Sequence, residues 1–156
     1  MDIVRVFEII SWFSLPTVMF GGFSLLRLLT KGRTLTPFQV TCFRAGHAHA
    51  GVLLLMSLLY YRYLTETTYS ENSTLLLCVM LVVGILAQSG GFFLHMMLGR
   101  EGERSVGTLL TFFGAALLDV TTLALDGYVS GVRKPPLQEL LVICRRPIDR
   151  RHFRPH

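Results

Sequence analysis

The stretch LLLCVMLVVGILAQSGGFFLHMML, residues 75–98, contains no Asp, Glu, Lys or Arg. It sits inside a longer charge-free run between Glu71 and Arg100. A bilayer core about 30 Å thick takes roughly 20 apolar residues as a helix, with a working range of about 17–25. This run meets that length with some to spare. Backbone N–H and C=O groups cannot go unpaired in hydrocarbon, so only helices and closed barrels cross it. The run shows none of the two-residue alternation of barrel strands. It therefore predicts a membrane-spanning helix over about 74–98.

Three further stretches read the same way. They lie between Glu8 and Arg27, between Arg44 and Arg62, and from Gly107 to Ser130, the last interrupted by Asp119 and Asp126. They predict helices over about 5–29, 43–64 and 107–130. Composition agrees. Of 156 residues, 51% are hydrophobic and only 16% are charged, with a mean hydropathy of +0.51. A soluble domain carries about 25% charged residues. The deficit excludes a disordered tail protein and argues against an ordinary cytosolic enzyme. The expected fold class is all-α, an integral membrane four-helix bundle over 1–131 with a basic, mobile tail over 132–156. The three cysteines, Cys42, Cys78 and Cys144, have no metal spacing and no even count, so no disulfide framework is expected. The first apolar run lacks a basic start and a small-residue cleavage site, and reads as a retained span.

The net charge is +5, and seven of the fifteen Lys and Arg residues lie between Arg133 and Arg154. After a final span, such a segment meets anionic lipid headgroups on the cytoplasmic face, and nucleic acid is not expected. Four spans put both termini on one side. That side carries nine Lys and Arg and the other six, which predicts cytoplasmic termini. Pro16 predicts a kink in the first helix. Gly21, Gly22, Gly84, Gly90, Gly91, Gly114, Ala115 and Ala116 are small residues that let helix backbones approach closely, or else make room for a flat ligand. Trp12, Tyr60, Tyr61, Tyr63, Tyr69 and Tyr128 read mostly as interfacial belt residues.

The segment with most chemical content is Phe43-Arg44-Ala45-Gly46-His47-Ala48-His49-Ala50-Gly51, which opens the predicted second helix. Ligating or ionisable residues inside a span are costly and are candidates for function. Side chains two apart on a helix point about 200° apart, so His47 and His49 cannot easily hold one metal together. One is expected to ligate while the other meets a neighbouring helix, loop or headgroup. Gly46, Gly51 and the alanines leave the space that an axial ligand under a porphyrin needs. Antiparallel spans are expected to bring His95, Met96 and Met97 to the same level, roughly 5–10 Å inside the helix ends. Gln88, Ser89 and Asp119 are expected deeper, lining a cavity, with Asp119 hydrogen-bonded to Thr or Ser on a neighbouring helix. The plainer alternative leaves the histidines bonded to backbone or lipid phosphate, with His95 at the interface.

The run Phe43 to Gly51 resembles the start of the second helix of styrene oxide isomerase, a small four-helix membrane enzyme. Ala48-His49-Ala50-Gly51 is similar to that family's Ala-His-Ser-Gly, which puts His49 in the place of its haem-ligating histidine. Gly90-Gly91-Phe92-Phe93-Leu94 is similar to its Gly-Phe-Tyr-Leu stretch late in the third helix, and Phe20-Gly21-Gly22 in the first helix also fits. A His-x-His at a helix start also resembles the haem-ligating second helix of haem-copper oxidase subunit I. The likeness covers about 8–130, mostly as hydropathy plus these short motifs. It implies a homo-oligomer, a trimer, with haem b at subunit interfaces and His49 as the metal ligand. It also implies isomerisation of a small apolar epoxide to an aldehyde, with ferric iron as Lewis acid.

Two positions depart from the family pattern. Its Asn six residues after the ligand is Leu55 here, and its pocket Tyr on the third helix is Phe93. Haem binding therefore carries over better than epoxide chemistry. His47 and His95 have no role in that template, and either as a sixth ligand would favour electron transfer or gas binding. The expectation is a haem b membrane protein of isomerase type. The alternatives are a non-enzymatic redox or gas-binding accessory protein and a cofactor-free membrane subunit.

Overall fold

The computed structural model describes residues 2–31 and 35–132, with side chains described as far as Gly127. The described residues form four helices and no strand: α1 (Ile3–Thr30), α2 (Pro37–Leu64), α3 (Glu71–Leu98) and α4 (Val106–Val132). Each is long and apolar enough to cross a bilayer, as a multi-pass integral membrane protein requires. The expectations for the basic tail beyond Val132 lie outside the described residues.

The helices begin where a cap takes up their free N–H groups, not where charges stop. The Asp2 carboxylate accepts from the Val4 N–H at 3.2 Å. Ser70 caps α3, which starts at Glu71, three residues before the predicted 74. The largest difference is at α2, which starts at Pro37, six residues before the predicted 43. The Thr36 hydroxyl accepts from the Gln39 N–H at 3.2 Å, and the Gln39 side chain accepts from the Thr36 N–H at 3.1 Å. Pro37 at the first helical position completes this capping box. Arg44 simply lies exposed on the helix surface. α1 runs unbroken through Pro16.

The four helices form an open arc around α3. α3 packs most extensively against α4 and then α2; α1 rests chiefly on α2; α2 and α4 barely meet; and α1 and α4 share no contact among the described residues. The α3–α4 seam is made by glycines seven residues apart, Gly84 and Gly91 facing Gly114 and Gly107. A Cβ at Gly91 would lie 2.7 Å from the Gly107 carbonyl oxygen, and one at Gly114 would lie 2.8 Å from the Gly84 carbonyl oxygen. The small residues Gly84, Gly91 and Gly114 therefore serve backbone approach. Gly90 has open space beside it, and Ala116 is exposed.

The core sits in the half of the arc that holds the N-terminus. Val4 of α1, Tyr60, Tyr61 and Leu64 of α2, Leu77, Cys78, Leu81 and Ile85 of α3, and Leu118 of α4 pack there. Tyr60 and Tyr61 are 6% and 0% exposed, so they are core residues and not belt residues. The Tyr60 hydroxyl donates to the Thr121 carbonyl at 3.1 Å, and the Tyr69 hydroxyl donates to the Ala124 carbonyl at 2.8 Å. The buried Ser57 and Ser11 hydroxyls, 3.0 Å apart, tie α2 to α1.

Candidate functional site

The early start of α2 changes the depth of its histidines. His47 and His49 are the eleventh and thirteenth of its 28 residues. They lie about 15 and 18 Å from its first residue, near mid-height, deeper than the charge pattern implies. His95 lies three residues from the end of α3 on the same side. It is therefore about 13 Å shallower than His49. Its ring meets the edge of Phe38, the second residue of α2, at a centroid distance of 5.2 Å. Its Nδ1 hydrogen-bonds Ser105 Oγ at 2.6 Å, and Ser105 Oγ accepts from the Gly107 N–H at 3.1 Å. His95 thus joins the end of α3 to the start of α4, apart from His47 and His49. Met97 is exposed, and Met96 is half-buried on the same turn.

His47 and His49 occupy opposite flanks of α2. Gly46, between them in angle, packs against α3, where a Cβ would lie 3.0 Å from the Ser89 carbonyl oxygen and from Phe92 Cβ. His47 turns toward α1 and fills the notch left by Gly21 and Gly22; a Cβ at Gly22 would lie 2.7 Å from His47 Nε2. Phe43 stacks on His47 at 6.1 Å and meets the edge of Phe93 at 5.3 Å. Gly51 faces α1, where an added Cβ would lie 3.8 Å from Val18 Cγ1. This flank is a packing surface, and Phe93 belongs to it.

His49 turns the other way, toward Phe92, with ring centroids 4.9 Å apart and planes at 34°. Its Nδ1 lies 2.8 Å from the Ala45 carbonyl oxygen. A carbonyl only accepts, so Nδ1 carries the proton and donates. In the neutral ring the lone pair then belongs to Nε2, which makes no hydrogen bond among the described residues. Metal-binding histidines are usually held this way, with the second nitrogen bonded to a carbonyl or carboxylate.

Below His49 on the same stripe of α2, at steps of four, seven, eleven and fourteen residues, come Leu53, Met56, Tyr60 and Tyr63. These four line one wall of a cleft of about 500 Å³ between α2 and α4. Leu118, Thr122 and Leu125 of α4 line the other wall, with Leu81 of α3 as the floor and Asp126 at the rim. That volume falls within the 300–1,000 Å³ common for small-molecule and cofactor pockets.

The expected pocket residues lie elsewhere. Leu55 is 55% exposed on the outer face of α2. Gln88 is half-buried on α3, with its backbone against Gly114. Ser89 is buried and donates to the Ile85 carbonyl. Asp119 is exposed on α4; among the described residues its carboxyl meets neither Thr nor Ser, and its backbone carbonyl accepts from Thr122. The cleft itself was within reach of the sequence, by continuing the helical stripe down from His49. No group of three or more His, Cys, Asp or Glu side chains suited to a metal ion occurs among the described residues. A porphyrin iron needs only one protein imidazole, and that is what this site offers. The chain matches no protein-family profile, no curated protein and no solved structure.

Proposed function

We propose that this protein binds haem b through His49 Nε2 and isomerises a small apolar epoxide to an aldehyde. The observation that carries the reading is the Nδ1–H bond from His49 to the Ala45 carbonyl at 2.8 Å. It fixes the tautomer that leaves Nε2 as the lone-pair donor, one helical turn from an apolar cleft. The residues that would hold the group are His49 at the iron and Leu53, Met56, Leu118 and Leu125 along the macrocycle. Bound there, ferric haem supplies a Lewis acid able to stabilise negative charge on an epoxide oxygen. The chain's own part is to orient the imidazole, to pack Phe92 beside it, and to keep water from a carbocation through apolar walls.

The separation of the histidines supports a five-coordinate iron over the redox alternative. His47 is engaged on the opposite flank of α2, and His95 is bonded to Ser105 well above. Cytoplasmic termini and a homo-oligomer belong to the same reading, and reporter fusions at each end test the first.

The decisive measurement is the absorption spectrum of protein purified in mild detergent from haem-replete cells. The expected result is a Soret band that is lost in His49→Ala and kept in His47→Ala. No Soret band in the unaltered protein leaves the cofactor-free subunit. A high-spin ferric spectrum with aldehyde formed from epoxide, followed by gas chromatography, supports the isomerase. A low-spin bis-imidazole spectrum transfers the assignment to the redox alternative.

A further inference from the structure

The α2–α4 cleft has mostly apolar walls, and the one charged residue that lines it, Asp126, stands at its mouth. Tyr63, the last but one residue of α2, lines the same mouth, so the cleft opens where α2 ends. Tyr69, in the connection from α2 to α3, donates to the Ala124 carbonyl at 2.8 Å. Asp126, two residues further on, is therefore level with that connection, at the membrane surface. It is exposed and takes part in no ion pair among the described residues. Glu66, just past the end of α2, has only an exposed contact with Arg62 at 3.7 Å. The mouth is thus an apolar opening with unneutralised acid on the α4 side and a weakly paired acid on the α2 side.

The sequence continues from Val132 with Arg133, Lys134, Pro135 and Pro136, then Leu-Gln-Glu-Leu-Leu-Val-Ile-Cys at 137–144, then Arg145 and Arg146. A stretch this short between basic pairs cannot cross a bilayer, which takes roughly 20 residues. In a helix, Leu137, Leu140, Leu141 and Cys144 fall at i, i+3, i+4 and i+7, the stripe with which a helix lies in an apolar groove. Pro136 suits the start of such a helix. Asp126 lies about 9 Å below the end of α4. The chain from Val132 to Leu137 can extend up to about 17 Å, so Leu137 can return to the mouth. A helix over 137–144 is about 12 Å long, enough to pass from one helix to a neighbour about 8–10 Å away. The charges agree, since Arg133 and Lys134 then come beside Asp126, and Arg145 and Arg146 beside Glu66.

We propose that residues 137–144 lie as a short helix across the mouth of the cleft, with Leu137, Leu140, Leu141 and Cys144 turned in. The chain thereby closes its own cleft toward the membrane surface, and the later arginines stay free for lipid headgroups. The tether makes the contact intramolecular, at an effective concentration of about millimolar, so modest complementarity suffices. The device does not depend on haem, because it governs passage through the mouth whatever the cleft holds.

The native Cys144 supplies the test. Tyr63→Cys puts a thiol on the α2 side of the mouth, while Cys42 and Cys78 are buried. Oxidation of the full chain in native membranes is expected to join position 63 to Cys144 within one chain, read by mass spectrometry and lost in Cys144→Ser. Arg62→Cys, at the same height on the outer face of α2, is expected to link at least about tenfold less, since a disulfide needs Cα atoms within about 7 Å. Leu140→Asp with Leu141→Asp is expected to cut the position 63 linkage at least about tenfold. Asp126→Lys is expected to cut it about 2- to 5-fold, and adding Arg133→Glu and Lys134→Glu to restore it. Equal linkage from positions 62 and 63 means that the segment lies on lipid. A linked species carrying the tags of two co-expressed chains means that it reaches a neighbour. Either result overturns the proposal, as does linkage unmoved by Leu140→Asp with Leu141→Asp.

Discussion

His47 and His49 are two residues apart, yet their rings do different work because the backbone turns each toward a different neighbour. His47 is a packing residue, fitted into a notch that only glycine at position 22 permits. Gly22→Ala would put a methyl 2.7 Å from its Nε2 and force the ring to move. The expected cost is about 1–3 kcal/mol, as for other overpacked sites. Adding His47→Ala to that variant removes the clash and recovers most of the loss, measured by thermal unfolding in detergent. A Gly22→Ala protein as stable as the unaltered one, with His47 present, would contradict this role. The opposite directions of the two rings were legible from their spacing alone. Which ring meets a glycine notch and which meets Phe92 above the cleft was not, because that depends on which helix lies on each side of α2. Asp119 shows the same limit. Its place in an apolar run marked it as unusual, but only the packing of Gly114 and Leu118 onto α3 shows that it points outward.

Helix ends and helix seams obey different rules, and the sequence reveals the first more readily. All four spans were legible from charge-free runs, since nothing else satisfies their backbone in lipid. The charge pattern puts the start of α2 beside Arg44, whereas the capping group is Thr36. Thr36→Ala is expected to cost about 1 kcal/mol, and Gln39→Ala somewhat less, in the same unfolding assay. The α3–α4 seam is less forgiving. A Cβ at Gly114 meets the Gln88 Cα and the Gly84 carbonyl, both 2.8 Å away, and backbone cannot rotate aside as a ring can. Gly114→Ala is therefore expected to cost more than Gly22→Ala, at the upper end of about 1–3 kcal/mol. Equal losses in the two variants would mean that the seam yields as easily as the notch. Only the α2 wall of the cleft is legible, as the stripe below His49; the opposite wall is not, because it needs α2 and α4 to flank α3 without closing on each other. No local pattern encodes that arrangement.

Across the whole molecule, stability is graded from the centre of the arc outward. α3 has 44% of its spanning window buried, while α1 has only 11%. Hydrogen exchange in detergent is accordingly expected to be slowest in α3 and fastest in α1, because local opening is easiest where few side chains are enclosed. Slower exchange in α1 than in α3 would show that contacts outside one chain hold it. The near-equal length of the helices has a consequence of its own. At 27 or 28 residues each, they are about 40 Å long, against a hydrocarbon layer of about 30 Å. In thin, short-chain lipid the bundle must lean to hide its apolar ends. Leaning shears α2 against α4, the one pair that barely meets, so the width of the space between them follows the acyl-chain length of the surrounding membrane.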